Sequence, residues 1–301
     1  MTNSETNNFH QSVLLHEVLE ALRIHDGAWY LDATIGGGGH SEAILKKGAY
    51  VLGIDQDEAA LETSKTRLST FYKNGQLKLE KANFADLERI VAKHKISPKG
   101  ILFDLGVSSY QIGGNQRGFS FQVDETLDMR MNPEFQQVTA KDLVNGLYEK
   151  ELEQLISKYG EDPLARPIAK AIIAFRKHQF IETTGQLREI IEKVYHRAYR
   201  SRSRMNPATK TFQALRIAVN DEIEALKSGL EAALHILQEK GVCVVISFHG
   251  LEDKIVKTTF LDWESQELGE RMYQKPIVAN EQELESNPRS RSAKLRAFIK
   301  S

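Results

Sequence analysis

The chain has 301 residues, of which 41% are hydrophobic and 27% are charged, and this composition excludes general disorder. Forty basic residues against 41 acidic residues give a formal net charge of -1, so any surface for nucleic acid must be a local patch. The polar start MTNSETNNFH and the absence of an apolar run of membrane-spanning length predict a cytoplasmic protein without a membrane anchor. The single cysteine, Cys243, lies in the apolar run GVCVVISF, which predicts a buried thiol and no metal site.

The first informative stretch is DATIGGGGHSEAI, in which four consecutive glycines occupy positions 36–39. A short apolar run at 29–33 precedes them and predicts a strand, while Ala43, Ile44 and Leu45 begin a helical pattern with Ser41 as a candidate N-cap. A strand, a glycine turn and a helix N-terminus form the first unit of a nucleotide-binding fold.

Strands and helices then alternate as far as residue 104. Apolar runs at 49–55, 77–84 and 100–105 predict strands, and helical patterns lie between them. This alternation predicts an α/β fold with a parallel, doubly wound, Rossmann-like sheet that binds ligands at the carboxyl ends of its strands. Asp55 and Asp104 end two of the predicted strands, and an acid at the position of Asp55 suits the hydroxyls of a ribose.

The alternation stops near Ile112, and helical patterns dominate until Phe212. Strand patterns return at GVCVVISFH and at KLRAFIK, the last strand. We therefore predict a catalytic domain in two parts, 1–111 and 213–301, interrupted by a helical substrate-recognition insertion at 112–212.

The glycine pattern by itself leaves the ligand open. Ser41 stands where the third glycine of a dinucleotide-binding pattern would fall, which weakens the prediction of NAD. The DATxGxGG form, the acid after the second strand and Phe84 after the third favour S-adenosylmethionine, whose adenine an aromatic ring would flank.

Longer motifs occur in a fixed order from about Phe9 to the C-terminus. They are DATIGGGGHS, GIDQD, DLGVSS, RGFSF, LDMRM, FQALRIAVN, SFHGLED and NPRSRSAKLR. Together they closely resemble the RsmH/MraW family of small subunit rRNA methyltransferases. The resemblance implies a class I methyltransferase that uses S-adenosylmethionine to methylate N4 of a cytidine in the decoding region, at the P site, of 16S rRNA. It also implies the small ribosomal subunit as partner and is compatible with a homodimer.

The resemblance also implies which residues bind the cofactor. The family's contacts map onto positions after the first four strands, which are Gly38, Gly39, His40, Asp55, Phe84, Asp104 and Gln111. The catalytic group remains open, with Asp104, Ser247 and His249 as candidates at the same sheet edge. Capping of the strand end is an equally good interpretation of Ser247 and His249.

A basic stretch within the predicted insertion is the candidate RNA-binding segment. Residues 196–210 contain no acid, and tyrosines adjoin the basic side chains, a combination that suits phosphate neutralisation and base stacking. The candidates are Tyr199, Arg200, Arg202, Arg204 and Lys210. A solvated loop is the alternative interpretation.

The chain departs from the family pattern at a few positions near the expected substrate side. These are Tyr110, Ile112, Gly113, Asn206 and Gly250. They put the substrate details in more doubt than the cofactor site. Two other functions stay open from the sequence, an NAD-dependent oxidoreductase and a non-catalytic RNA-binding factor in ribosome assembly.

Overall fold

The computed structural model describes residues 11–107, 117–199 and 206–301. The chain divides into two compact units, one formed by Met1–Ser109 with Ala225–Ser301 and the other by Tyr110–Glu224. Within the described ranges, no helix has both the length and the apolar character needed to cross a membrane.

The described part of the first unit is built on a seven-stranded sheet with the order β3-β2-β1-β4-β5-β7-β6. Its strands are β1 (Trp29–Asp32), β2 (Tyr50–Asp55), β3 (Leu77–Lys81), β4 (Gly100–Asp104), β5 (Val242–Ser247), β6 (Gly269–Arg271) and β7 (Lys294–Lys300). Its helices are α1 (Leu15–Leu22), α2 (Gly39–Leu45), α3 (Glu58–Arg67), α4 (Ser69–Lys73), α5 (Leu87–His94), α11 (Glu222–Ile236, which contains the boundary between the units), α12 (Gly250–Ser265) and α13 (Glu281–Ser286).

Successive residues of each central strand face opposite sides of this sheet, as the pleat of a β-strand requires. Tyr30 and Val51 therefore lie in one apolar layer, whereas Leu31 and Leu52 lie in the other. Because both faces are covered by helices, the central strands are continuously apolar. Cys243 lies in the second layer, and its burial raises the pKa of the thiol, so the prediction of a buried cysteine is confirmed.

The α/β prediction is confirmed, with one difference in strand direction. Strands β1 to β5 pair in parallel, but β7 runs antiparallel to β5 and to β6. The prediction of a parallel sheet is therefore right for β1–β5 and wrong for the last pairings. All five parallel strands place their carboxyl ends at one edge.

The second unit is helical in its described part. Its helices are α6 (Ala140–Gly146), α7 (Glu149–Gly160), α8 (Ala165–Arg176), α9 (Thr184–Ala198) and α10 (Thr209–Asn220). Capping boxes at Thr139 and Thr183 fix the starts of α6 and α9, because each threonine accepts a backbone N–H while the third residue beyond it accepts the threonine's own N–H. The predicted border at residue 212 falls inside α10, whose Phe212 and Leu215 both lie in the core of this unit.

Asn220, the last residue of α10, organises the irregular segment 127–131. Its side-chain oxygen accepts the N–H of Met131 at 2.8 Å, and its amide nitrogen donates to the carbonyl oxygen of Met129 at 2.8 Å. Met129 has a φ of 64°, a left-handed conformation that a non-glycine residue adopts at a cost and keeps only where its surroundings hold it. The buried amide of Asn220 supplies that constraint.

We expect Asn220→Ala to destabilise the second unit by about 2–3 kcal/mol, because it removes the side-chain hydrogen bonds to the N–H of Met131 and to the carbonyl of Met129. Urea unfolding followed by circular dichroism measures the loss, and hydrogen exchange of segment 127–131 should become faster. Gln154→Ala, on an exposed position of α7, is the control. Equal exchange in the two variants would contradict this account.

Candidate active site

The carboxyl ends of β1, β2 and β4 place three aspartates at one edge of the sheet in the first unit. Asp32, Asp55 and Asp104 are each the last residue of their strand. Since these strands are neighbours and parallel, with β1 in the middle, the three side chains share one region of the edge.

The glycine turn between β1 and α2 is shaped by left-handed backbone. Gly36 has a φ of 48° and Gly38 a φ of 76°, conformations that glycine adopts without steric cost. The carbonyl oxygen of Gly36 accepts the hydroxyl of Ser64 at 2.5 Å, and that of Gly37 accepts a guanidinium N–H of Arg67 at 3.2 Å. Two side chains of α3 therefore hold the carbonyls of the turn.

The prediction that Ser41 is the N-cap of α2 is wrong. The helix begins at Gly39 with Gly38 as N-cap, and Ser41 is buried in its first turn. Its hydroxyl donates to Oδ2 of Asp32 at 2.6 Å. Burial nevertheless raises the pKa of Asp32 above its usual range, because this hydroxyl and the N–H of Thr34 compensate the lost hydration only in part.

Asp55 closes the turn from the neighbouring strand. One of its carboxylate oxygens accepts the N–H of Gly36 at 3.0 Å, and the other accepts the N–H of Asp57 at 2.9 Å. Burial raises the pKa of Asp55 to about 6 despite these two bonds. Each carboxylate oxygen has a second lone pair, so the side chain keeps acceptor capacity for hydroxyl donors.

His40 lies in the first turn of α2 and is buried. Its Nε2 lies 3.0 Å from the carbonyl oxygen of Val13, and because a carbonyl can only accept, Nε2 carries the proton. Its Nδ1 lies 3.5 Å from Oδ2 of Asp104. Burial lowers the pKa of His40, which favours the neutral ring with a free lone pair on Nδ1.

Asp104 combines a fixed backbone with an unused carboxylate oxygen. Its N–H donates to the hydroxyl of Thr34 at 2.7 Å, and within the described part of the chain its Oδ1 has no hydrogen-bond partner. Burial, and then the nearby charge of Glu252, raise the pKa of Asp104 to about 7. Its side chain is 26% exposed, whereas Oδ1 itself is buried.

Phe84 follows β3 in a 3-10 turn (Phe84–Asp86) that Asn83 caps by accepting the N–H of Ala85. The ring packs edge-on against Phe103, with 5.7 Å between the centroids. It also adjoins Gly229 of α11, where an added Cβ would lie 2.9 Å from the ring. Phe84 is only partly buried, and its position is set by packing rather than by a polar contact.

Ser247 and His249, the other catalytic candidates, have structural partners. The Ser247 hydroxyl donates to the carbonyl of Lys294 in the neighbouring strand at 3.3 Å. His249 is the N-cap of α12, whose first residue is Gly250, and its Nδ1 accepts the N–H of Glu252 at 3.3 Å. His249 therefore carries its proton on Nε2, which lies 3.0 Å from Glu252.

Glu252 is a buried side chain of this edge that the sequence did not indicate. One of its oxygens accepts the N–H of Phe248 at 2.8 Å and that of His249 at 3.3 Å. The spacing of His249 and Glu252 is that of a capping box, but histidine is not among the usual N-cap residues. The capping box was therefore not predicted from the sequence, and neither was the negative charge of Glu252 near Asp104.

The RNA-binding candidates belong to the second unit, and only two of them lie in the described ranges. The ring of Tyr199 is 48% exposed and lies 5.8 Å from that of Tyr195, measured between centroids. The ammonium of Lys210 donates to the carbonyl of Glu161 at the end of α7. The remaining predicted positions outside the described residues are Tyr110, Gln111, Ile112, Gly113, Arg200, Arg202 and Arg204.

Taken together, the edge of the sheet concentrates negative charge. Within the described ranges, no lysine or arginine pairs with Asp32, Asp55 or Asp104, and the only ion-pair contact of the three is that of Asp104 with His40. Nor do the described residues contain a group of three or more metal-ligating side chains suited to a metal ion. Such a site suits a ligand that brings its own positive charge and hydroxyl groups.

Comparison with known proteins identifies the family. A model of the MraW methylase family matches residues 7–301. The chain belongs to the MraW methylase family. Its cofactor is S-adenosylmethionine, as the sequence motifs implied.

Relatives of this family cover nearly the whole chain. Proteins named ribosomal RNA small subunit methyltransferase H from Sulfurihydrogenibium azorense and Persephonella marina are each 46% identical over 290 residues, covering 95% of this chain and 97% of the relative. Among solved structures, the chain is similar to a putative rRNA methylase from Clostridium thermocellum, with a TM-score of 0.45, 12% identity and coverage of 97% of this chain and all of the other.

The residues present fit S-adenosylmethionine. The cofactor carries an ammonium and a sulfonium, and the edge offers three carboxylates without a lysine or arginine partner among the described residues. The unpartnered Oδ1 of Asp104 is suited to an ammonium donor, and the spare lone pairs of Asp55 are suited to ribose hydroxyls. The carboxyl edge of β1, β2 and β4 is therefore the candidate cofactor site.

We expect the affinity for S-adenosylmethionine to depend on pH through Asp104. Its raised pKa means that the carboxyl group is neutral below about pH 7 and ionised above it, and only the ionised form attracts an ammonium. Between pH 8 and pH 6 the dissociation constant should rise about tenfold. Calorimetric titration at several pH values measures this change.

Asp104→Asn is the matched control, because asparagine resembles the protonated carboxyl group. The variant should bind weakly at pH 8 and converge with the wild type at low pH. Titration of Asp55 and His40 is common to both proteins and cancels in the comparison. A wild-type dissociation constant that does not change between pH 6 and pH 8 would contradict the role of Asp104.

Proposed function

We propose that the protein transfers a methyl group from S-adenosylmethionine to N4 of a cytidine in the decoding region, at the P site, of 16S rRNA within the small ribosomal subunit. Membership of the MraW methylase family and the names of relatives that match 95% of the chain support this proposal. The observation that carries the cofactor site is the group of three carboxylates at the sheet edge, one buried and two partly buried, whose charge suits a cationic methyl donor.

In this proposal, the side chains of the edge bind different parts of the cofactor. Asp104 accepts the ammonium of the cofactor, and Asp55 accepts the ribose hydroxyls in addition to the N–H of Gly36. Phe84 flanks the adenine from a ring position fixed by Phe103. The remaining proposed cofactor contacts are Gly38, Gly39 and His40 in the turn, and Gln111, which lies outside the described residues.

The reaction does not require a covalent bond between the protein and its substrate. The exocyclic amine of cytosine is a weak nucleophile, since its lone pair is delocalised into the ring. The bound cofactor supplies an electrophilic methyl group on a positively charged sulfur. The protein's contribution is to hold the amine in line with that carbon and to offer an acceptor for the proton that leaves the nitrogen.

The three candidate proton acceptors differ in whether their acceptor atoms are already engaged in hydrogen bonds. The hydroxyl of Ser247 donates to the backbone of β7, and serine has no nitrogen or carboxylate that could accept the proton. Nδ1 of His249 already accepts the N–H of Glu252 and its Nε2 is protonated, so neither ring nitrogen is a free acceptor. Oδ1 of Asp104 is without a partner among the described residues. Asp104 is therefore the best supported of the three, although the same carboxylate is the proposed partner of the cofactor's ammonium.

RNA contact is assigned to the second unit. The half-exposed ring of Tyr199 presents a face for base stacking, and Arg200, Arg202 and Arg204 follow it directly in the sequence. Lys210 is less well suited, because its ammonium already donates to the carbonyl of Glu161. Asn206 accepts the N–H of Ala208 and shapes the turn before α10.

Of the two alternative functions, the oxidoreductase lacks support from the family match, which is to a methylase family. A non-catalytic assembly factor would bind RNA and cofactor without turnover. The transfer reaction itself separates this alternative from the enzyme.

The decisive experiment is methyl transfer from labelled S-adenosylmethionine to small subunits and to naked 16S rRNA that lack the modification. We expect N4-methylcytidine, identified by mass spectrometry of the nucleosides. Asp55→Ala should weaken cofactor binding by roughly a hundredfold, because the ribose hydroxyls lose a charged acceptor. Asp262→Ala, at an exposed position of α12, should behave as the wild type.

Cofactor binding without label in either RNA sample would favour the assembly factor. Label in a nucleoside other than N4-methylcytidine would refute the proposed position. Because Asp55 also holds the N–H of Gly36, the thermal stability of the variant is measured alongside, and wild-type affinity in Asp55→Ala would remove Asp55 from the cofactor site.

Tyr199→Ala should weaken binding of small-subunit RNA about tenfold if its ring stacks on a base. Tyr148→Ala is the matched control, since Tyr148 is 77% exposed in the same unit but is not adjacent to a basic stretch. Filter binding at fixed salt concentration compares the two variants. Equal losses would assign both to non-specific contact, and no loss in Tyr199→Ala would exclude it from the interface.

A further inference from the structure

The segment of residues 11–14 (the N-terminal strap) lies between the glycine turn and the C-terminal part of the first unit. On one side it contacts α2, which carries His40. On the other side it is bonded to Glu283 of α13 and to Asn287, which are far away in the sequence. The strap therefore links two parts of the unit that are far apart in the sequence.

Contacts with the glycine turn are close. A Cβ added to Gly39 would collide with the hydroxyl of Ser12, so the strap passes directly over the start of α2. The carbonyl oxygen of Val13 accepts Nε2–H of His40 at 3.0 Å. Val13 and Leu14 are both buried.

The strap is held in place from the C-terminal side. Oε1 of Glu283 accepts the N–H of Leu14 at 2.7 Å, and the amide of Asn287 donates to the carbonyl of Gln11 at 3.2 Å. Leu14 has a φ of 52°, a left-handed conformation that a leucine adopts only at a cost in free energy. The charged acceptor on its N–H compensates for this cost and fixes the direction of the neighbouring Val13 carbonyl.

This carbonyl decides which nitrogen of His40 is protonated. With the proton on Nε2, the lone pair of Nδ1 faces Oδ2 of Asp104 at 3.5 Å, where it can accept a hydrogen bond only from the protonated carboxyl group. A ring with the opposite tautomer would place an N–H toward Asp104 and two acceptors against each other at Val13. The contact with the strap thus sets what His40 offers to the carboxylate at the proposed cofactor site.

We propose that Glu283 is a positioning residue of the cofactor site, which acts through the strap on His40 and through His40 on Asp104. The proposal rests on the assignment of this edge to S-adenosylmethionine. Its physical content is that Glu283 holds Leu14, Leu14 orients the carbonyl of Val13, and this carbonyl keeps Nδ1 of His40 turned to Asp104. The side chains of Glu283 and Asp32 also act electrostatically on His40.

Two variants separate the hydrogen bond from the charge of Glu283. Glu283→Ala removes the acceptor of the Leu14 N–H, whereas Glu283→Gln keeps an Oε1 acceptor without the charge. Glu285→Ala, an exposed glutamate of the same helix, is the matched control. Thermal unfolding of all three confirms that the full chain remains folded.

The first readout is the ring nitrogen shifts of His40 in the protein without ligand, obtained by 15N-histidine spectroscopy and assigned by the loss of signals in His40→Gln. We expect the Nε2–H tautomer in the wild type, Glu283→Gln and Glu285→Ala, and a mixture of tautomers in Glu283→Ala. The second readout is the dissociation constant for S-adenosylmethionine by calorimetry. At pH 8, where Asp104 is largely ionised in the wild type, it should rise about five- to tenfold in Glu283→Ala, because Nδ1–H of the second tautomer competes with the ammonium for the carboxylate, and change less than twofold in the control.

Unchanged His40 signals in a folded Glu283→Ala variant would overturn the proposal, whatever its affinity. Altered signals with wild-type affinity would overturn the step from His40 to the cofactor site. If the wild type itself does not bind S-adenosylmethionine, the proposed function fails instead, and the tautomer measurement still decides the role of Glu283 on His40.

Discussion

The organising constraint of the first unit is the full or partial burial of three carboxylates at one sheet edge without a lysine or arginine partner among the described residues. Burying a charge costs free energy unless hydrogen bonds replace the lost water. Asp32 recovers part of this cost from Ser41, and Asp55 recovers part from two backbone N–H groups, whereas Oδ1 of Asp104 recovers none within the described chain. The site is therefore built to be completed by a cation.

The same carboxylates explain why the glycine turn has a defined shape. Flexible glycines would lose the most conformational entropy on ordering, so the turn must be held by contacts from outside it. Asp55 holds the N–H of Gly36 from β2, and Ser64 and Arg67 hold the carbonyls from α3. Asp55 thus contributes both to the order of the turn and to the proposed cofactor site.

Much of this architecture could be predicted from local patterns, and the rest depends on contacts that no local pattern contains. Apolar runs gave the strands ending in Asp55 and Asp104, because strands buried on both faces are continuously apolar. The reversal of β7 was not predicted, since an apolar run does not encode the direction of its neighbour. Ser41 matched an N-cap by residue type, but its hydroxyl serves Asp32 instead. The bond between Leu14 and Glu283 joins residues 269 positions apart, a separation that no local pattern predicts.

Charge also connects binding with turnover in the proposed reaction. The methyl donor carries a positive sulfur in addition to its ammonium, and the demethylated product retains the ammonium alone. Both also carry a carboxylate, so the donor is a net cation and the product is neutral overall. An edge rich in carboxylates attracts the donor more strongly than the product, and low local polarity increases that difference. The raised pKa values of Asp55 and Asp104 mean that their charged forms are poorly compensated, so a bound cation stabilises them strongly. The electrostatic attraction between the edge and the bound molecule thus decreases when the methyl group leaves, which favours release of the demethylated product.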